Sequence, residues 1–194
     1  MKKTTIVAAV LIAGTAVTAF AHSGATGIVK ERMDAMLAMG KAVKTVAPMM
    51  RGETAYDAET VRDAARLFQQ HAGESMTKLF PEGSDGKPSE AKPEIWTDWN
   101  SFAGLAAQLE TFSAGLAAAA DNGLMMAGTQ HGSMMEGSNT MMGSSGMGSG
   151  SMMGAGGMMG GARSVGDLSQ MPADGVFMML SQVCSACHTR FRAE

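Results

Sequence analysis

The chain contains two cysteines, Cys184 and Cys187, and a histidine follows them directly as His188. In Cys184-Ser185-Ala186-Cys187-His188 the reactive side chains stand at i, i+3 and i+4, positions that share one face of a helix. Two thiols so spaced can add to the two vinyl groups of one porphyrin edge. The adjoining imidazole is then held beneath the iron as an axial ligand. C-x-x-C-H is the attachment pattern of c-type haem. A redox dithiol, a disulfide and a zinc site are the other readings of the pair. A thioredoxin-type dithiol uses a helix N-terminus in a βαβ setting, and no strand-like alternation accompanies this motif. A disulfide across three residues of a helix is strained. A structural zinc needs four ligands, and no second Cys or His pair at suitable spacing supplies them.

The elements that must carry this motif are helical. From Ile28 to about Val46, apolar residues at 28, 29, 33, 36, 37, 39, 43 and 46 form one stripe, closed by Pro48 and Arg51-Gly52-Glu53. A second helix follows Asp57, a candidate N-cap, with Val61, Ala64, Leu67, Phe68, Ala72, Met76 and Leu79 inward and Pro81 as its stop. Residues 81–92 read as a surface loop. Pro93 can open a third helix running to about Ala120, with Ile95, Trp99, Phe102, Leu105, Leu109, Phe112 and Leu116 on one face. A last helix begins near Pro172 and carries Val176, Leu180, Val183 and the C-x-x-C-H motif. These segments predict an all-α protein, an antiparallel four-helix bundle with covalent haem on its C-terminal helix.

Two stretches fall outside the bundle. Residues 1–21 have the layout of a secretory signal peptide: Lys2-Lys3, an uncharged apolar run from Ile6 to Val17, then Ala19-Phe20-Ala21 before His22. The expected compartment is the periplasm, leaving 22–194 as a mature chain that does not span the membrane. Residues 124–161 are almost wholly Gly, Ser and Met, with Met-Met pairs at 125, 134, 141, 152 and 158. This reads as a flexible insertion between helices three and four. Thioether sulfur suits Cu(I), so the insertion, with His131 among its methionines, is a candidate copper binder; a low-complexity expansion or a sink for oxidants is the plainer reading. His22 at a new N-terminus is a candidate Cu(II) chelator. The net charge of −3 and the absence of a basic patch exclude nucleic acid as a partner. No catalytic carboxylate pair, Ser-His-Asp set or phosphate loop stands out, so an enzyme is not expected.

Four blocks resemble the class II cytochromes c, the cytochrome c-prime and cytochrome c-556 family: Arg32 to Gly40, Met50 to Asp57, Ala91 to Asp98, and Cys184 to Arg192. The resemblance implies thioether links at Cys184 and Cys187 and a proximal ligand at His188. It places Met36 where the family's distal residue approaches the iron, as a ligand in c-556 members and as a shield over an open site in c-prime members. It also implies a propionate contact for Arg32, a tuning role for Arg192 beside the proximal imidazole, and a homodimer through helices one and two. Three functions follow as expectations: a one-electron carrier serving periplasmic redox partners, a gas-binding protein for nitric oxide, or a copper handler acting through 124–161.

Overall fold

The computed structural model describes residues 24–125 and 163–193. In chain order these form α1 (Gly27–Met50), α2 (Ala58–His71), α3 (Gly73–Thr77), α4 (Glu94–Thr97), α5 (Trp99–Ala119), a 3-10 turn (Ala120–Asn122), α6 (Val165–Leu168) and α7 (Ala173–Phe191). The long helices α1, α2, α5 and α7 make the expected all-α four-helix bundle. Among the described residues the only extended pairing is an isolated antiparallel bridge between Ala91 and Arg192. No described helix is long and apolar enough to cross a membrane.

α1 presents two adjacent stripes. Ala35, Met39, Val46 and Met50 are buried in the core, while Met33, Met36, Leu37 and Gly40, spaced i, i+3, i+4 and i+7, face a cleft. The helix runs past Val46 to Met50, and Pro48 lies inside it. A proline this near the end costs the ladder one N–H. Termination falls instead to Gly52 at φ +70°. Its N–H donates to the Met49 carbonyl at 3.0 Å, and the Glu53 N–H donates to that of Pro48 at 2.9 Å. These two bonds form a Schellman motif, whose left-handed residue is least costly as glycine.

Asp57 caps α2 as expected, accepting the Glu59 N–H at 3.1 Å. The second helix does not run unbroken to Leu79, however. Ala72 is extended and Gly73 takes φ +57°, at a place where a Cβ would overlap the Glu110 carboxylate on α5. α3 then resumes with Met76, Leu79 and Phe80 still in the core. The apolar period therefore continues across a real break. The third predicted helix is divided too: α4 opens after Pro93, Asp98 leaves helical geometry (φ −128°, ψ 49°), and α5 starts at Trp99. Trp99, expected to face inward, is 38% exposed.

α5 is the central element, packed against α2 on one side and α7 on the other. α1 leans on α2 and scarcely touches α7. At one end of the bundle the gaps are filled. α6, which was not anticipated, is started by a capping box between Ser164 and Asp167 and drives Leu168 against Gly115 so closely that no Cβ would fit there. At the other end, α1 and α7 stand apart.

Candidate functional site

The space between α1 and α7 is a cleft of about 350 Å³. Met33, Met36 and Gly40 line its α1 wall, and Cys187, His188 and Phe191 its α7 wall. Phe80, Ile95 and Phe102 form an apolar floor, and Ser89, Glu90 and Ala91 contribute from the loop before α4. Phe102 holds this floor together, its ring 4.9 Å from that of Phe80 and 5.6 Å from that of Phe191, both edge-on.

α7 places its motif by the same spacing that buries its core stripe. Val176, Leu180, Val183 and Phe191 are buried. Cys184 and Cys187 are half-buried at the margin of this stripe, and His188 is more exposed. Cys184 packs against the core and is not among the cleft-lining residues. The two thiols are not bonded to each other. Burial raises the pKa of both, that of Cys187 to about 11 with help from the neighbouring Cys184. A redox dithiol depends on a depressed thiol pKa, so this environment argues against that reading. The His188 imidazole is shifted downward, chiefly by shielding from water and then by Arg192, with Glu90 opposing. The shift favours the neutral form, the one that ligates metals.

The segment after His188 is fastened on both sides. The Lys92 N–H donates to the Phe191 carbonyl at 2.9 Å, and the Ala193 N–H to that of Glu90 at 2.8 Å. Arg192 Nε donates to the Glu90 carboxylate at 2.6 Å, and Arg190 pairs with Asp98 at the start of α5.

Arg32 is 4% exposed. Its guanidinium donates to Ser84 Oγ at 2.9 Å, to the Leu79 carbonyl at 3.4 Å, and to the Ser84 carbonyl and Ser89 Oγ. It lies 4.8 Å from the Phe80 ring centroid. Among the described residues no carboxylate is within ion-pair distance of it. Burial pulls its pKa below the usual arginine value, with Asp85 opposing. A buried cation on a cleft wall, facing neutral partners, suits a ligand that brings its own negative charge.

The structure therefore brings Arg32, Met36, Cys187, His188 and Arg192 to one cleft, with Cys184 one turn behind on α7. Sequence reasoning missed Ser84, Ser89 and Glu90, which sit in a stretch read only as a surface loop. His71 ends α2 and is not part of the cleft. Leader residues 1–21, His22 and nearly all of 124–161 lie outside the described residues. Apolar floor, neutral nitrogen, thioether, paired thiols and a buried cation together fit a haem bearing propionates.

The family model described as Cytochrome C' matches residues 27–137, more than half of the chain. The chain belongs to the cytochrome c' family and is a haem c protein. It is 33% identical over 100 residues to cytochrome c-554 of Cereibacter sphaeroides, spanning 50% of this chain and 75% of that protein. It is 33% identical over 85 residues to a cytochrome c-556 of Agrobacterium tumefaciens strain B2A, spanning 44% and 68%. The fold is similar to cytochrome c' from Thermochromatium tepidum, with TM-score 0.56 and 20% identity, covering 86% of this chain and 95% of that one. It is also similar to a nitric oxide complex of a variant cytochrome c prime from Alcaligenes xylosoxidans, with TM-score 0.54 and 21% identity, covering 86% and 94%. These relatives lend copper no support.

Proposed function

We propose that the protein is a one-electron carrier whose haem is attached to Cys184 and Cys187, with His188 as the proximal and Met36 as the distal axial ligand. The observation that carries this reading is the facing of His188 on α7 and Met36 on α1 across a single apolar cleft. Bound haem supplies a reversible ferric/ferrous couple, and thioether ligation raises its potential. The chain's own residues do the rest. Phe80, Phe102 and Phe191 exclude water from the floor, and Arg32 offers a positive group to a propionate. The anchored end of α7 holds the His188 imidazole in place. The leader-like residues 1–21 support export to the periplasm, where partner proteins would exchange electrons with it.

The alternative is a gas-binding protein in which Met36 walls an open iron. Its support is the nitric oxide complex of the similar cytochrome c prime. Absorption spectra of the ferric and ferrous protein, with and without carbon monoxide, separate the two. Low-spin spectra in both states and no response to carbon monoxide are expected, with Met36→Ala becoming high-spin and responsive. A high-spin ferric spectrum that Met36→Ala leaves unchanged would refute methionine ligation. Cys184→Ala/Cys187→Ala should abolish haem retention after denaturation; retained haem would refute covalent attachment there.

A further inference from the structure

We infer that Glu90 is a positioning residue: it holds the Arg192 guanidinium beside the proximal side of the cleft and offsets its charge, so that removing either member of the pair shifts the ferric/ferrous balance. The inference rests on the reading of His188 as an axial ligand. Arg192 is one helical turn beyond His188, and its N–H bonds the His188 carbonyl at 3.0 Å. Its side chain could swing into solvent, but Nε is taken by the Glu90 carboxylate at 2.6 Å. The neighbouring cation, Arg190, is engaged by Asp98, so Glu90 and Arg192 form a distinct pair. Both line the same cleft as His188.

Glu90 comes from a loop, yet its place does not depend on its side chain. The Ala193 N–H bonds its carbonyl, and the Lys92 N–H bonds that of Phe191, flanking the bridge between Ala91 and Arg192. Substituting the carboxylate alone should leave this backbone pairing intact, so the charge can be changed without moving the chain.

The sign of the effect follows from electrostatics. The ferric state carries one more positive charge than the ferrous state, so a nearby anion favours ferric and a nearby cation favours ferrous. Together Glu90 and Arg192 largely cancel; removing either uncovers the other. Their side chains are 53% and 54% exposed, so solvent screens the effect and keeps it modest.

The test is mediated potentiometry of the holoprotein, in which a dye supplies one electron to the ferric form and no proton is taken up. Glu90→Gln should favour the ferrous form two- to threefold, an upward shift of roughly 18–28 mV at 59 mV per tenfold for one electron. Arg192→Gln should shift the potential downward by a similar amount, and the double variant should return near the parent value. All three differences should shrink as salt is raised, because the charges are exposed. Shifts in the same direction for both single variants, or none in either, would overturn the inference and leave the axial-ligand reading intact. A His188→Ala variant whose haem spectrum matches that of the parent would overturn both.

Discussion

The two ends of this bundle use the same helices for opposite purposes. At the closed end, α5, α6 and α7 meet with Leu116, Leu168, Val176 and Leu180 fully buried, and Gly115 lets α6 approach without a gap. Polar groups there serve the backbone: Asn122 Nδ2 donates to the Ser169 and Met171 carbonyls at 2.7 Å, and the Ala173 N–H donates to that of Gly123 at 2.8 Å. At the open end α1 leaves α7, and the space is edged by a buried arginine, the Glu90–Arg192 ion pair and the end of the C-x-x-C-H motif. Residues that could have met across the gap are instead the cleft's lining. The difference is that apolar side chains meet one another at one end and line a cleft at the other, so changes at the two ends should be separable.

The largest effect should come from the closed end. Leu168→Ala removes a fully buried side chain in contact with Gly115. It should cost about 2–5 kcal/mol, with a lowered midpoint in thermal unfolding and unchanged haem absorption. A spectral change as pronounced as the loss of stability would show that the ends are coupled.

Arg32→Met tests the open end with a smaller cost. It strips a donor from the Leu79 and Ser84 carbonyls and from the Ser84 and Ser89 hydroxyls. Part of that set lies near solvent, so the expected loss is about 1–3 kcal/mol. Amide exchange should localise it: the Ser89 and Ala91 N–H groups, bonded within the loop, should exchange faster while those of α5 near Gly115 keep their protection. Uniform acceleration would mean that Arg32 supports the whole bundle.

What could be read from the sequence divides by range. The C-x-x-C-H motif, the Asp57 cap and the stripe on α7 depend on neighbours within a turn or two, and they were legible. So was the glycine stop at Gly52. Of the stripe expected on α1 only Met39 and Val46 are buried, and Leu37 is 48% exposed. The break at Ala72–Gly73 was hidden because the apolar period runs on across it to Met76 and Leu79, and only the positive φ of Gly73 marks it. The burial of Arg32 was hidden because its serine partners come 52 and 57 residues later, in a loop whose composition suggests solvent. α6 was a different kind of miss. Ser164-x-x-Asp167 is a readable start signal, obscured by the Gly/Met stretch beside it.

The smallest expected change probes how closed the closed end is at its outer turn. Tyr56 is half-buried and its hydroxyl donates to the Ala120 carbonyl at 2.5 Å, near the Arg62–Asp121 pair. Burial, reinforced by Asp121, raises its pKa to about 12. A phenol whose folded pKa lies above its ordinary value of 10.0 favours the neutral form on folding. Its contribution is complete below pH 10 and is lost as pH rises toward 12. The chain has one tyrosine, so phenolate difference absorbance reports this site alone. Tyr56→Phe should cost about 0.5–1.5 kcal/mol near neutral pH, and that difference from the parent should fade through the same alkaline window. Titration at the ordinary value would place water against the 3-10 turn, and the contrast between the ends would then rest on Leu168 and its neighbours alone.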